Sequence, residues 1–250
     1  NMARSIREND GWSLERLKSM RTGLTIGLPE DIQMIIDTMS TPELCNVYGS
    51  TETYGNASVC SSADPIDLRL KSQGLPLPGM KIRMVDPETK VPLPSGEIGE
   101  ITVAGYVTPG YFNAAELTAQ TFDKDGYFLT GDLGIIGKDG RVYFKGRLKE
   151  IIKTGGVNVS PLEVEGVLLK HPNVKQAFVL GVPHKQKTEA VTAVVELNTI
   201  SKTNPAEIIA FCRNKLASYK VPLSLFIRSN NELPRTSTGK INKPALRKEV

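Results

Sequence analysis

The stretch Gly146-Arg-Leu-Lys-Glu-Ile-Ile-Lys-Thr-Gly-Gly156 decides how this chain is organised. Charge and texture both change across it. Residues 1–145 carry 14 Lys and Arg against 19 Asp and Glu, and residues 146–250 carry 17 against 8, so the two sides are −5 and +9. That reversal puts a domain boundary near Gly146–Lys149 and divides the chain into segments 1–73, 74–148 and 149–250.

On the C-terminal side, Pro161 opens an amphipathic helix that the spacing of Leu162, Val164, Val167 and Leu168 carries through Lys170. VKQAFVLGV (174–182) and AVTAVVEL (190–197) read as strands, and Pro205 opens a second helix through Leu216. His171 and His184 each adjoin a proline and read as exposed loop positions without metal-ligand spacing. Segment 149–250 is therefore expected to be a compact α+β domain.

On the N-terminal side, MKIRMVD (80–86), GEIGEITVAG (96–105), GYFLTGDLGIIG (126–137) and GRVYFKG (140–146) alternate with turn signals at Asp86-Pro87, Pro94-Ser-Gly96, Asp125-Gly126 and Asp139-Gly140. Aspartate-glycine between apolar runs predicts hairpins, and segment 74–148 reads as a small distorted β-barrel or sandwich. Further upstream a short helix at Leu14–Met20 and an extended run MRTGLTIG (20–27) precede DIQMIIDTM (31–39), a helix with an acidic start. The strand ELCNVYG (43–49) follows, which makes a partial α/β layer. The expected fold class is α/β followed by α+β.

Composition limits the function. With 250 residues, 40% apolar and 23% charged, the chain has the make-up of a globular protein able to bury cores. Three cysteines without paired spacing argue against a disulfide framework or a thiolate metal site and fit a reducing, cytoplasmic location. No apolar run approaches membrane-span length, and NMARSIREND lacks the apolar core of a signal peptide. The basic segment lacks interleaved aromatics or a nucleic-acid motif, so no nucleic-acid partner is expected. Near the C-terminus, PRTSTGKINK (234–243) is not a phosphate loop: Pro234 stands where the first glycine would be and Ile241 where the magnesium-binding hydroxyl would be.

Four stretches combine glycine with polar side chains: YGSTE (48–52), YFLTGD (127–132), GRLKEIIKTGG (146–156) with VSPLEVE (159–165), and PRTSTGKINK (234–243). In this order and at these intervals they resemble the AMP-forming adenylating superfamily, which includes acyl- and aryl-CoA synthetases, peptide-synthetase adenylation domains and firefly luciferases. The resemblance covers essentially residues 42–250.

It implies an ATP-dependent acid:CoA ligase using ATP, Mg2+ and CoA on a small carboxylic acid. By this resemblance Asn46, Tyr48, Gly49, Ser50 and Thr51 contact the nucleotide, with the Tyr48 ring offered to adenine and Thr51 to a phosphate. Glu52, a hard oxygen ligand, suits the metal that neutralises the triphosphate. Asp132 accepts from the ribose hydroxyls and Arg147 adds a planar donor fork. Lys149 is the hinge of a rotating C-terminal domain, Lys153 lies near the acyl-adenylate, and Gly155 and Gly156 let a pantetheine arm pass close to backbone. Lys240 relieves charge as one anion attacks another in the adenylation step. Each has a plainer alternative: a half-buried aromatic for Tyr48, a turn cap for Asp132, a surface ion pair for Arg147, an ordinary turn for the glycine pair.

The family's Ser/Thr/Gly-rich phosphate loop, which lies upstream of YGSTE, is absent, so the chain reads as the C-terminal part of a longer enzyme that adenylates poorly alone. Loading of a carrier protein instead of free CoA, and nucleotide binding without turnover, are the competing readings.

Overall fold

A computed structural model describes residues 6–7, 9–198, 203–237 and 239–250. Thr238 of the PRTSTGKINK run and most of the first eight residues lie outside the described set. The chain divides into two compact units, Asn1–Lys145 and Gly146–Val250.

In the first unit, α1 (Leu14–Leu17) is capped by Ser13 and stops short of the expected Met20. β1 (Thr22–Thr25) lies parallel to β2 (Glu43–Tyr48), and α2 (Pro29–Met39) connects them. Pro29 and the acidic pair Glu30 and Asp31 occupy the first turn of α2, where a missing N–H and negative charge are both favoured. Ser40, at φ 52, caps its far end by donating its N–H to the Ile36 carbonyl. The antiparallel strands β3 (Ser58–Val59) and β4 (Leu75–Pro76) complete this sheet, with α3 (Ile66–Lys71) between them. Arg69 of α3 is buried and donates to the carbonyls of Pro42 and Leu44, which fixes the entry of β2.

The second sheet has the order β5 (Lys81–Val85), β6 (Gly99–Ala104), β7 (Phe128–Ile136) and β8 (Val142–Arg147), with α4 (Ala115–Gln120) in the β6–β7 connection. Both aspartate-glycine signals fall in turns, with Gly126 and Gly140 each at φ +78. Among the described residues this sheet is open instead of a closed barrel. Four strands are few for closure, and its inner face is covered by another element: Met84, Ile101, Val103 and Val142 pack with Tyr48 and Ala57 from the first sheet region.

The second unit begins with the hairpin β9 (Ile152–Thr154) and β10 (Val157–Val159), followed by α5 (Pro161–Leu168). Then come β11 (Val174–His184), β12 (Thr188–Leu197), α6 (Pro205–Arg213), β13 (Ser224–Ile227) and α7 (Lys243–Lys248). The sheet order is β10-β9-β12-β11, and β13 pairs in parallel with β12. Period-two alternation along β12 sets Val191, Ala193 and Val195 against α5 and α6, while Val194 joins a separate cluster with Leu180 and Leu246 of α7. Both histidines are half-buried. His184 ends β11, and His171 sets its ring edge-on to Phe211 at 5.0 Å, because a helix end folded back on α6 gives it an aromatic partner.

Candidate active site

Tyr48 closes β2, and the chain then folds back on itself in a tight loop. A Cβ placed on Gly49 would lie 2.1 Å from the Gly55 carbonyl oxygen, so the close approach of two backbones fixes glycine there. Gly55 donates its N–H to the Ser50 carbonyl at 2.8 Å, and the Ser50 N–H donates to Thr53 Oγ1 at 2.9 Å. The 3-10 turn Thr51–Thr53 that results leaves Thr51 exposed and Glu52 half-buried.

Glu52 is held at both ends. Its carbonyl accepts from the Thr108 N–H at 2.7 Å, and its Oε1 accepts from the Tyr111 hydroxyl at 2.9 Å. Its own backbone N–H, followed by the Ser50 and then the Tyr111 side chain, holds the carboxyl below the usual glutamate range against the opposing effect of burial. Burial, followed by the neighbouring Glu52, pushes the Tyr111 phenol up. The loop therefore carries an ionised carboxylate beside an exposed threonine hydroxyl.

Asp132 belongs to the same unit but arrives by another route. It stands within β7 and not after a tight turn, which corrects the sequence expectation. From the pair Thr102–Leu129 to the pair Glu100–Leu133, β6 advances two residues and β7 advances four. Gly131, at φ +70, takes up the excess as a bulge. Glu100, 3% exposed, sits under the bulge: its Oε1 accepts from the Gly131 N–H at 3.0 Å and its Oε2 pairs with the Lys90 ammonium at 2.7 Å. The redirected Asp132 Oδ2 accepts from the Tyr48 hydroxyl at 3.0 Å. Tyr48 is itself 7% exposed, with its ring stacked on Phe144 at 6.1 Å between centroids.

Asn46 does not face this constellation. It is completely buried; its Nδ2 donates to the Ser72 carbonyl at 2.9 Å and its Oδ1 accepts from the Val47 N–H. Its side chain holds β2 to the segment after α3.

The second unit carries the remaining predicted residues. Arg147 ends β8 and is exposed, and Lys149 is exposed within the 3-10 turn Leu148–Glu150. Lys153 projects outward from β9 while its N–H donates to Glu189 Oε2 at 2.8 Å. Gly155 and Gly156, at φ +57 and +79, form the two-residue turn between β9 and β10, the pair of angles that a type I′ hairpin requires. Both face open space. Lys240 is exposed at the end of a second small hairpin, where Arg235 bridges Ile241, the Thr236 N–H donates to the Lys240 carbonyl at 2.7 Å, and Gly239 turns at φ +79. Among the described residues its ammonium makes no ion pair.

Sequence reasoning missed Tyr111, Glu100 and Phe144 in the first unit and Lys243 in the second. Their partners lie 59, 31 and 78 residues away for Tyr111–Glu52, Glu100–Gly131 and Lys243–Glu165, beyond the reach of any local pattern. Among the described residues no three His, Cys, Asp or Glu side chains cluster as a metal cage, and no helix is long and apolar enough to cross a membrane. Burial raises the thiols of Cys45 and Cys60, and pushes that of Cys212 up to about 11, which suits inert packing.

The first unit thus holds an aromatic-carboxylate pair at a strand end with a hydroxyl and a carboxylate on the adjoining loop, and the second unit bears an exposed lysine. Residues 3–112 match the AMP-binding enzyme model and residues 163–240 match the AMP-binding enzyme C-terminal domain model. The 4-hydroxybutyrate–CoA ligase 2 of Metallosphaera sedula is 37% identical over 83% of this chain and 39% of its own length. The mitochondrial medium-chain acyl-CoA ligase ACSF2 of Mus musculus is 33% identical over 93% of this chain and 38% of its own. ATP-bound MatB from Rhodopseudomonas palustris superposes with a TM-score of 0.88 at 32% identity, covering 99% of this chain and 49% of that one. The chain belongs to the AMP-binding, adenylate-forming enzyme family. It spans less than half the length of these relatives.

Proposed function

We propose that this chain supplies the nucleotide-holding loop and the mobile lysine domain of an ATP-dependent acid:CoA ligase. The observation that carries the reading is the Tyr48–Asp132 bond beside Thr51 and Glu52, which gathers a buried aromatic, a hydroxyl and two carboxylates at the end of β2. Relatives that include CoA ligases and an ATP-bound structure support the nucleotide and acceptor.

In this reading Asp132 accepts from the ribose hydroxyls, Tyr48 orients that carboxylate and floors the base, and Thr51 donates to a phosphate oxygen. Glu52 fits a magnesium ion, because such ions take one or two carboxylates plus substrate phosphates and its charge is stabilised by the loop. When bound, the ion neutralises the triphosphate. The substrate carboxylate oxygen forms a bond to the α-phosphorus as the bond to pyrophosphate breaks, and the Lys240 ammonium stabilises the charge on the phosphoryl oxygens. Then the CoA thiolate attacks the acyl carbon and AMP leaves with the carboxylate oxygen. Arg147 adds a fork to the nucleotide, Lys149 turns the second unit between the steps, Lys153 lies by the acyl-adenylate, and the open Gly155–Gly156 turn borders the pantetheine arm.

The test is ATP–pyrophosphate exchange over fatty and aromatic acids with the missing upstream half supplied, Lys240→Ala beside wild type, followed by thioester formation from supplied acyl-adenylate. Loss of exchange by about a hundredfold or more is expected in the variant, in keeping with removal of a preorganised charge, with the thioester step largely retained. Equal loss of both steps would count against a lysine used in one of them. Thioester on a carrier protein but not on CoA would move the acceptor, and AMP binding without exchange even with the missing half restored would leave a nucleotide-binding module.

A further inference from the structure

Lys243, three residues beyond Lys240, begins α7 with its ammonium between two carboxylates. It lies 2.7 Å from Glu150 Oε2 and 3.3 Å from Glu165 Oε1. Glu165 projects from α5 with its side chain 7% exposed, and its Oε1 also accepts from the Val179 N–H of β11 at 2.8 Å. Glu150 adjoins Lys149 in the 3-10 turn. One ammonium therefore ties the base of the lysine loop to the turn that carries Lys149 and to an acid buried in the second unit.

Little slack separates Lys243 from Lys240, since three residues span at most ~11 Å. The loop between them is closed by the Thr236 N–H to Lys240 carbonyl bond and by the Asn242 N–H donating to the Pro234 carbonyl at 2.8 Å. Farther along α7, Leu246 is completely buried and Arg247 pairs with Glu189 at 2.6 Å, so the helix has anchors of its own.

We propose that Lys243 is a positioning residue for Lys240, holding the lysine loop and the Leu148–Glu150 turn in one frame through Glu150 and Glu165. The inference rests on the reading of Lys240 as the adenylation lysine. Breaking this node releases the loop while Leu246 and Arg247 keep α7 docked, so Lys240 loses its aim without the domain losing its fold.

The test compares the full chain with Lys243→Met and Lys243→Arg by residue-resolved amide hydrogen exchange, with pyrophosphate exchange measured on the same samples. In Lys243→Met the Thr236 and Asn242 amides are expected to exchange about tenfold faster, while the Leu246 amide stays within about twofold. Lys243→Arg restores the loop. In pyrophosphate exchange the methionine variant loses kcat with the KM for the acid unchanged. Unchanged loop exchange, loosening of Leu246 to the same degree, failure of arginine to rescue, or a wild-type kcat beside a loosened loop would each overturn the proposal. Pyrophosphate exchange is read with the missing upstream half supplied, because the chain alone is expected to adenylate poorly; its absence there in wild type would instead sink the proposed function, and the amide data would still decide whether Lys243 holds the loop.

Discussion

The Tyr48 hydroxyl donates to Asp132 Oδ2 at 3.0 Å across 84 residues of sequence, joining the end of β2 to the bulge of β7. Tyr48→Phe keeps the stacking on Phe144 and removes this bond. A stability loss of about 0.5–1.5 kcal/mol is expected in chemical denaturation. Titration calorimetry with AMP should show binding weakened about threefold to tenfold, the equivalent of that bond in affinity. AMP binding equal to wild type would separate Tyr48 from the orientation of Asp132.

Tyr111 donates to the Glu52 carboxylate, whose folded pKa is depressed. A depressed carboxyl stabilises the fold above its unfolded pKa and loses that contribution as pH falls through the lower folded value. Tyr111→Phe removes one cause of the depression, so the Glu52 carboxyl should titrate at higher pH than in wild type. Acid unfolding of the variant should also begin at higher pH. Carbon-13 NMR of the side-chain carboxyl reads the first, and an unmoved titration curve would show that the Tyr111 bond does not govern Glu52.

Gly49 and Gly155, one in each unit, answer to different constraints. Gly49→Ala drives a methyl into the Gly55 carbonyl and is expected to cost about 1–3 kcal/mol or more. Gly155→Ala meets no neighbour but must hold φ +57, a cost of about 1 kcal/mol. Thermal melts should rank them in that order. The reverse order would mean that the loop after β2 relaxes at no cost.

Glu100 is a buried carboxylate shared between the Lys90 ammonium and the Gly131 N–H. Glu100→Ala leaves both without their acceptor and should cost about 2–4 kcal/mol, less than a fully buried pair because Lys90 is 38% exposed. Nucleotide affinity should fall with it, through the loosened bulge. Urea titrations and AMP calorimetry together check this, and a stability loss with unaltered AMP affinity would place Glu100 outside the site.

Much of this was legible in the sequence where a local rule was at work. Pro29 with its acidic neighbours, Pro161 and Pro205 each open a helix, and the aspartate-glycine pairs at 125–126 and 139–140 each form a turn. What stayed hidden depends on partners far along the chain. Asp132 reads as a turn residue after Gly131 because a glycine before an aspartate has that statistical meaning, and only the pairing with β6 reveals a bulge. Asn46 reads as part of the polar YGSTE approach until the Ser72 carbonyl claims its amide. Glu165 looks like one more charge on a helix, although folding buries it against Lys243 and β11.

The bulge of β7 also restricts how the length of this strand can vary. Side chains alternate along a strand, so an odd change in residue number exchanges its two faces while an even change preserves them. Between Leu129 and Leu133 the surplus over β6 is a pair of residues, which keeps both leucines in phase with Thr102 and Glu100. Loss of one residue would turn every later side chain of β7 to the opposite face. Loss of two would restore a regular ladder and erase the position from which Asp132 reaches Tyr48. Homologous chains that retain the Asp132–Tyr48 bond should therefore tolerate almost any substitution of Leu129 by another apolar residue, yet no insertion or deletion between it and the aspartate.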